Sequence, residues 1–215
     1  MSMRHLKEAL CGAALCLATG SAAADSVSDL RGLFNREWQR NLAENPITAS
    51  FLGVMQFNGK WPDLSLSAIT TSHQADLAAV DALRAIDRSD LPTDEQLNYD
   101  LFKQQLKNSI ERYAYRDFLM PINQRNGIQT ADQIAELLPF TGEQHYRDWV
   151  MRLETLGDYM EQTIALLDSG VKEGRTQARI VMQRVPKQVA AQIVDDPELS
   201  PWYAPFKKIP ESLPT

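Results

Sequence analysis

Residues 141–167 have the sequence TGEQHYRDWVMRLETLGDYMEQTIALL. Apolar side chains recur in it at alternating steps of three and four residues, which places them on one stripe of an α-helix. The stripe consists of Tyr146, Trp149, Leu153, Leu156, Met160, Ile164 and Leu167. The pattern predicts one long helix whose stripe forms an internal seam of a helical bundle, with a coiled-coil contact to another chain as the alternative.

The same helical spacing occurs on both sides of this stretch. The further helices that it predicts cover residues 25–42, 45–53, 66–86, 93–113 and 176–194. Pro186 lacks an amide proton and clashes with the preceding turn, so we expect the last of these helices to break near Arg184. No useful alternation of apolar and polar residues indicates a β-strand. We predict an all-α fold, a bundle-like array of about six to seven helices.

Three predicted helices begin with a threonine that is followed three residues later by a glutamine. In a capping box the hydroxyl accepts from the amide of the third helical residue, and the glutamine side chain returns to the amide of the cap. The pairs are Thr93 with Gln96, Thr130 with Gln133, and Thr141 with Gln144. We therefore expect three capping boxes.

The first 24 residues have the three parts of a secretory signal. A basic start is followed by the apolar residues 9–17 and by three alanines that end at Ala24. We expect cleavage before Asp25 and a periplasmic or secreted protein; the alternative is a short N-terminal helix that stays attached. Both cysteines, Cys11 and Cys16, lie in this segment, so the mature chain offers no disulfide and no thiolate ligand for zinc.

The composition is that of an ordinary globular protein. The 215 residues are 44% hydrophobic, and the formal net charge at pH 7 is -6. An acidic chain repels phosphate backbones, so we expect no nucleic-acid partner. After residue 24 no apolar run reaches the ~18 residues that a membrane span requires, so we expect no membrane span.

The chain ends in a proline-rich segment. Five of its eleven prolines lie after Val194, together with the aromatic residues Trp202, Tyr203 and Phe206. We interpret residues 195–215 as a connecting tail, residues 25–194 as a helical region and residues 1–24 as the signal. The tail's aromatic residues and the stripe from Tyr146 to Leu167 together predict an apolar face that the chain does not cover by itself.

Several short motifs along the mature chain resemble, in their order, the N-terminal part of the DUF885 family. They are Glu44-Asn45-Pro46 with Ala49 and Leu52-Gly53, Asn98-Tyr99-Asp100, Pro121-Ile122-Asn123-Gln124 with Gly127, and Leu167 with Gly170 and Gly174. The resemblance implies a secreted or periplasmic bacterial protein that is mostly helical. It also implies that the full-length form is similar to zinc metallopeptidases, with the metal motif in the C-terminal half.

That metal motif does not occur in this chain. The two histidines of the mature sequence, His73 and His145, are far apart and neither is followed by glutamate. We therefore predict no catalytic residue, no metal ligand and no cofactor here, although the full-length protein could hold zinc. The simplest interpretation is an N-terminal portion whose partner is the missing C-terminal half, from a truncated or incompletely described gene.

Whether the protein is an enzyme stays open at this point. The alternative function is a non-enzymatic periplasmic helical protein that binds a ligand or serves as a scaffold. One loop is a candidate for substrate binding, because Asn123, Gln124, Arg125 and Asn126 could donate hydrogen bonds to a peptide or a small molecule. The competing interpretation is that this loop caps the neighbouring helices.

Overall fold

A computed structural model describes the backbone of residues 3–210 and the side chains of residues 24–210. This part of the chain contains eight α-helices, six 3₁₀ helices and no β-strand, so the all-α prediction is confirmed and the predicted helix count is slightly too low. The α-helices are α1 (Met3–Glu44), α2 (Pro46–Phe51), α3 (Leu66–Arg84), α4 (Thr93–Tyr115), α5 (Glu143–Glu154), α6 (Leu156–Lys172), α7 (Arg179–Met182) and α8 (Val185–Ala190). The 3₁₀ helices are Met55–Phe57, Arg88–Asp90, Asp117–Leu119, Ile128–Glu136, Pro197–Leu199 and Pro201–Lys208.

The chain folds as two compact units. The first unit contains Met1–Gln39 and His73–Ala114, and the second contains Arg40–Ser72 and Tyr115–Thr215. The predicted signal peptide lies in the first unit, but the side chains of residues 1–23 are outside the described residues, so its cleavage stays a prediction. No helix in the described part of the chain is both long and apolar enough to cross a bilayer.

The first unit has an aliphatic core built from long helices. Helix α1 supplies Leu30 and Leu33, and α3 supplies Leu83, all nearly inaccessible to solvent. The ring of Phe34 meets Phe102 of α4 edge to face at 4.9 Å. This core agrees with the helical spacing only in part, because Leu97 and Leu101, which the spacing places on the stripe of α4, are 59% and 61% exposed.

One buried carboxylate is tied into the first unit. Glu95 is 5% exposed and accepts hydrogen bonds from Asn98 Nδ2, at 3.1 Å, and from the guanidinium of Arg31. The hydrogen bond from Asn98, followed by that from Arg31, lowers the pKa of Glu95. Asp100 forms a two-pronged ion pair with Arg88, at 2.9 and 2.7 Å. The polar residues of the Asn98-Tyr99-Asp100 motif therefore act in the structure of this unit.

The second unit has an aromatic core built mostly from short helices. Trp149 is fully buried at its centre, and Trp202 is 9% exposed and stacks on it at a centroid distance of 5.8 Å. The proline-rich segment that we interpreted as a connecting tail thus contributes to a core. Our expectation that Trp202 belongs to an uncovered apolar face is wrong for this residue.

The long helix predicted over residues 141–167 is two helices. Thr155, with φ -99° and ψ 5°, separates α5 from α6. Its hydroxyl donates back to the carbonyls of Met151 and Arg152, at 3.1 and 3.3 Å, a local hydrogen bond that competes with a continuous helix. The apolar stripe does not continue as one seam across the break, because Ile164 of α6 is 56% exposed.

None of the three predicted capping boxes forms. Thr93 is itself the first residue of α4, and its cap position is held by Pro92, which has no amide. Thr130 lies inside a 3₁₀ helix and donates to Gly127 O. At the start of α5 the capping residue is His145, whose Nδ1 accepts hydrogen bonds from the amides of Thr141 and Gly142 at 3.2 Å each.

Two backbone features of the second unit are explained by the sequence. The predicted break near Arg184 is confirmed, since α7 ends at Met182 and α8 begins at Val185. Gly170 of α6 lies so close to the chain that a Cβ would stand 2.6 Å from Leu119 O and 2.7 Å from Arg175 O. Only glycine fits at that position without moving the backbone.

Candidate functional site

The candidate loop at residues 123–126 is closed by its own hydrogen bonds. Asn123 Oδ1 accepts from the amides of Arg125 and Asn126, at 2.9 and 3.0 Å, and Asn123 N donates to Asn126 O. Gln124 O accepts from the side chain of Gln188 at 3.0 Å. Of the predicted ligand-binding side chains, Asn123 uses its oxygen to shape the turn, whereas Gln124 and Asn126 contribute only backbone atoms to these bonds.

Arg125 is the charged residue of this loop. Its side chain is exposed and has no side-chain partner within residues 24–210. A guanidinium in this position can bind a carboxylate through two parallel hydrogen bonds. The ligand-binding role of Asn123, Gln124, Arg125 and Asn126 stays a prediction.

The two histidines of the mature sequence have structural contacts. His73 of α3 stacks on Tyr113 of α4 with ring centroids 3.8 Å apart and planes 4° apart. His145 caps α5 through Nδ1. Among the described residues no group of three or more His, Cys, Asp or Glu side chains could hold a metal ion. The residues present do not fit a zinc site.

The inner face of α5 is the most firmly held surface of the second unit. Trp149 Nε1 donates to Trp202 O at 3.0 Å, across 53 residues of chain. One turn later, Arg152 O accepts from Trp61 Nε1 at 2.6 Å. Buried indoles need a hydrogen-bond partner, and here each one finds a carbonyl from a distant segment. These two bonds fix the position of α5.

Arg152 is a fully buried cation on the same face. Its Nη2 donates to Ser50 Oγ at 3.1 Å and to Phe57 O at 3.2 Å, and its guanidinium lies over the ring of Trp61 at 5.2 Å. Burial lowers the pKa of Arg152 to about 10, although the charge of Asp148 opposes the shift. The side chain remains cationic at neutral pH and ties α2 to α5.

A groove lies along α5. It is a wide-open depression of about 620 Å³. Its described lining consists of Glu143, Gln144, Tyr146, Arg147, Val150, Met151 and Glu154. The groove is therefore a concave surface on a helix whose inner face is anchored.

The groove has an apolar middle and two polar ends. Val150 and Met151 are 42% and 48% exposed in the middle. At one end Arg147 Nε donates to Glu143 at 2.7 Å, so these two charges neutralise each other. At the other end Glu154 has no recorded side-chain partner within residues 24–210. The arrangement can bind a ligand that combines an apolar group with a cation.

A protein-family model matches most of the chain. Residues 46–214 match the model of a family described as a bacterial protein of unknown function, DUF885. The chain belongs to the DUF885 family. No curated protein and no solved structure matches it.

The DUF885 match differs in extent from the resemblance seen in the sequence. It begins at residue 46, after the helix that we had included, and it extends over the proline-rich segment up to residue 214. This segment contains Trp202, which packs against the Trp149 side of α5. The family match therefore includes the aromatic core of this DUF885 chain.

Sequence reasoning missed the groove of this DUF885 protein. A signal was present, because Val150 and Met151 are apolar residues that fall outside the stripe of Tyr146, Trp149 and Leu153. Apolar side chains off the buried stripe indicate a second contact surface. Arg152 gave no such signal, since an isolated arginine on a helix is usually exposed.

Proposed function

We propose that this DUF885 chain is the helical, non-catalytic part of an exported, peptidase-like protein, and that the outer face of α5 forms a wall of its peptide channel. The observation that carries the proposal is the groove along a helix held from behind by Trp149 and Arg152. The peptidase direction comes from the family resemblance. The non-catalytic role is supported by His73 and His145, which serve packing and capping.

The groove favours a particular ligand chemistry. Val150 and Met151 offer apolar contact area, and methionine adapts to side chains of different shape. The unpaired carboxylate of Glu154 attracts a lysine, an arginine or a free amino terminus. A peptide with an apolar residue next to a basic residue can contact both the apolar middle of the groove and Glu154. We therefore propose that the chain's part in a reaction is to bind and orient such a peptide.

Binding of labelled peptides tests this proposal. In fluorescence anisotropy, a short peptide with alternating leucine and lysine should bind more tightly than its leucine and glutamate counterpart. Glu154→Lys should raise the dissociation constant of the leucine–lysine peptide by about tenfold. Val150→Asp should do the same, because it removes apolar contact. Glu111→Lys, the same change on an exposed part of α4, is the control and should leave binding unchanged. Equal binding of both peptides, or no effect of either groove variant, would contradict the proposal.

The rival function is a non-enzymatic periplasmic binding or scaffold protein. It predicts the same peptide binding, so a second experiment has to separate the two. The chain is co-expressed with the reading frame that follows it, and hydrolysis of the bound peptide is measured with and without a zinc chelator. Chelator-sensitive hydrolysis supports the peptidase proposal. Peptide binding without any hydrolysis favours the binding protein.

Export is tested separately, by N-terminal sequencing of the protein recovered from the periplasm. We expect the sequence to begin at Asp25, since the alanines before it suit a signal peptidase. Recovery of the intact chain with Met1 in the cytoplasm would refute export and leave the peptide-binding proposal standing.

A further inference from the structure

The second unit contains the dipeptide Asn-Gly twice, at residues 58–59 and 126–127. Asparagine before glycine is prone to a spontaneous reaction, because glycine has no side chain to keep its amide nitrogen away from the asparagine side chain. Neither dipeptide lies in the groove along α5. The two copies differ in burial and in backbone geometry, which makes them a comparison within one protein.

The reaction is intramolecular and consumes only water. The glycine amide gives up its proton to solvent, and its nitrogen forms a bond to the asparagine Cγ. The bond from Cγ to the side-chain nitrogen breaks, and that nitrogen takes up a proton and leaves as ammonia. Water then opens the resulting succinimide ring at either of its two carbonyls. The products are aspartate and isoaspartate, in which the main chain runs through the former side chain.

Asn126 lies in an exposed turn. Its side chain is exposed and has no hydrogen-bond partner among the described residues, although its backbone amide donates to Asn123 Oδ1 at 3.0 Å. The amide of Gly127, which caps the 3₁₀ helix Ile128–Glu136, likewise donates to no described residue. Both reacting groups are therefore free of hydrogen bonds within the described part of the fold.

The charge next to Asn126 assists the first step. Arg125 precedes it, is exposed and has no side-chain partner within residues 24–210. A cation at this position stabilises the deprotonated glycine amide that attacks the side chain. Residues 118–131 contain no aspartate or glutamate, so no acidic residue close in sequence opposes this effect.

Asn58 has the opposite surroundings. It is 5% exposed, and its backbone is helical, with φ -60° and ψ -31°. Ring closure requires the next amide nitrogen to lie nearly eclipsed with Cβ about the Cα–C bond, and a helical ψ turns it away. Gly59 is also enclosed, since a Cβ built on it would stand 3.1 Å from Met151 Cε and 3.4 Å from Asp148 O. The fold therefore shields this dipeptide from water and holds it in an unreactive geometry.

We infer that Asn126 of the folded protein converts spontaneously to aspartate and isoaspartate, and that Asn58 is protected from the same reaction. Each product puts a carboxylate beside Arg125, which opposes the binding of an anionic ligand at this turn. Isoaspartate also lengthens the main chain of the turn, in which Asn123 N donates to Asn126 O at 2.9 Å. This inference goes beyond the proposed function and does not depend on it.

Peptide mass spectrometry of the full chain measures the reaction at each site. The protein is incubated in mildly alkaline buffer at physiological temperature and then digested. Replacement of the side-chain amino group by a hydroxyl gives a mass gain, and a methyltransferase specific for isoaspartate identifies the second product. Asn126 should react about tenfold faster than Asn58, or more, because only its reacting groups are accessible in the fold.

The same incubation in urea separates the effect of the fold from that of the sequence. In the unfolded chain both asparagines have the same glycine neighbour and the same access to water, so their rates should become similar. Equal rates at Asn126 and Asn58 in the folded protein would overturn the inference. So would an Asn126 that stays unmodified in the folded protein while the unfolded chain reacts.

A variant identifies the source of the new charge. Anion-exchange chromatography of the incubated wild type should show a growing fraction of more acidic protein. Asn126→Ser removes a side chain that has no partner among the described residues and should abolish most of this growth. Asn108→Ser, the same change at an exposed asparagine inside α4, is the control and should leave the growth unchanged. An acidic fraction that grows as fast in Asn126→Ser as in the wild type would refute the assignment.

Discussion

The two units reach a buried core by different means. In the first unit, Leu30, Leu83 and Leu106 lie on long helices and pack through stripes that repeat every three or four residues. In the second unit, the core around Trp149 and Trp202 joins short helices and 3₁₀ turns. Its hydrogen bonds connect Trp61 with Arg152 across 91 residues and Trp149 with Trp202 across 53.

The two units differ in how far their buried residues can be predicted from local sequence. The buried face of a long amphipathic helix can be predicted from the spacing of apolar residues in its own sequence. An indole or guanidinium that bonds to a distant carbonyl has no local signature, because its partner is chosen by the fold. The second unit also holds the groove, on a helix whose apolar stripe the sequence shows but whose partners it does not show.

The largest expected effect is the loss of stability on truncating Trp149, and it should be confined to one of the two cores. Trp149→Ala removes a fully buried side chain and should cost about 3–5 kcal/mol. In hydrogen exchange, protection should fall in the segments around Trp61 and Trp202, while α4 keeps its protection. Leu83→Ala is the matched change in the first unit and should show the reverse pattern. Equal loss everywhere for both variants would mean that the two cores unfold as one.

A smaller effect concerns a close backbone contact within the second unit. Gly170→Ala places a Cβ against two backbone carbonyls and should cost about 1–3 kcal/mol in the free energy of unfolding. Gly157→Ala, also in α6, meets nothing within 4 Å and should be neutral or stabilising by up to about 1 kcal/mol. Urea denaturation measures both. If Gly170→Ala were tolerated as well as Gly157→Ala, the close packing of α6 would be refuted.

Acid should weaken the first unit through Glu95. Its pKa is lowered by the hydrogen bonds from Asn98 and Arg31, so the carboxylate stabilises the fold above the ordinary glutamate pKa. That stabilisation is lost as the pH falls through the lowered pKa. Unfolding free energies measured from pH 7 down to about pH 2 should therefore fall less steeply for Glu95→Gln than for the wild type. Asp81→Asn, at an exposed ion pair of α3, is the control and should keep the wild-type slope.

Asp132 of the second unit should show the smallest effect, with the opposite sign. Burial raises its pKa, so the ionised form costs stability once the pH exceeds the ordinary aspartate value. Asp132→Asn keeps an oxygen to accept from Gln192 and should stabilise the protein at pH 7 by less than about 1 kcal/mol. At pH 3 the gain should vanish. Equal gains at both pH values, or a gain from the exposed control Asp29→Asn, would contradict this assignment.

The candidate loop shows how far the sequence could lead towards a site. Its polar composition identified the turn at residues 123–126, but the same side chains suit a ligand and a self-closing turn. The side-chain oxygen of Asn123 is engaged within the fold, which leaves the side chains of Gln124, Arg125 and Asn126 for a ligand. The groove contains Val150 and Met151, which lie off the predicted stripe of α5, but no local pattern states that Trp61 and Trp202 cover that stripe.

The sequence alone determined the helical class, core positions such as Leu30, Leu83 and Leu106, and the break at Pro186, because these follow from local spacing and from a missing amide. Tertiary structure decided the division at Thr155, the capping role of His145 and the burial of Arg152 and Trp202. Each of these depends on a competing hydrogen bond or on a partner tens of residues away. Side-chain periodicity carries no information about such partners, since it records only which face of a helix is apolar.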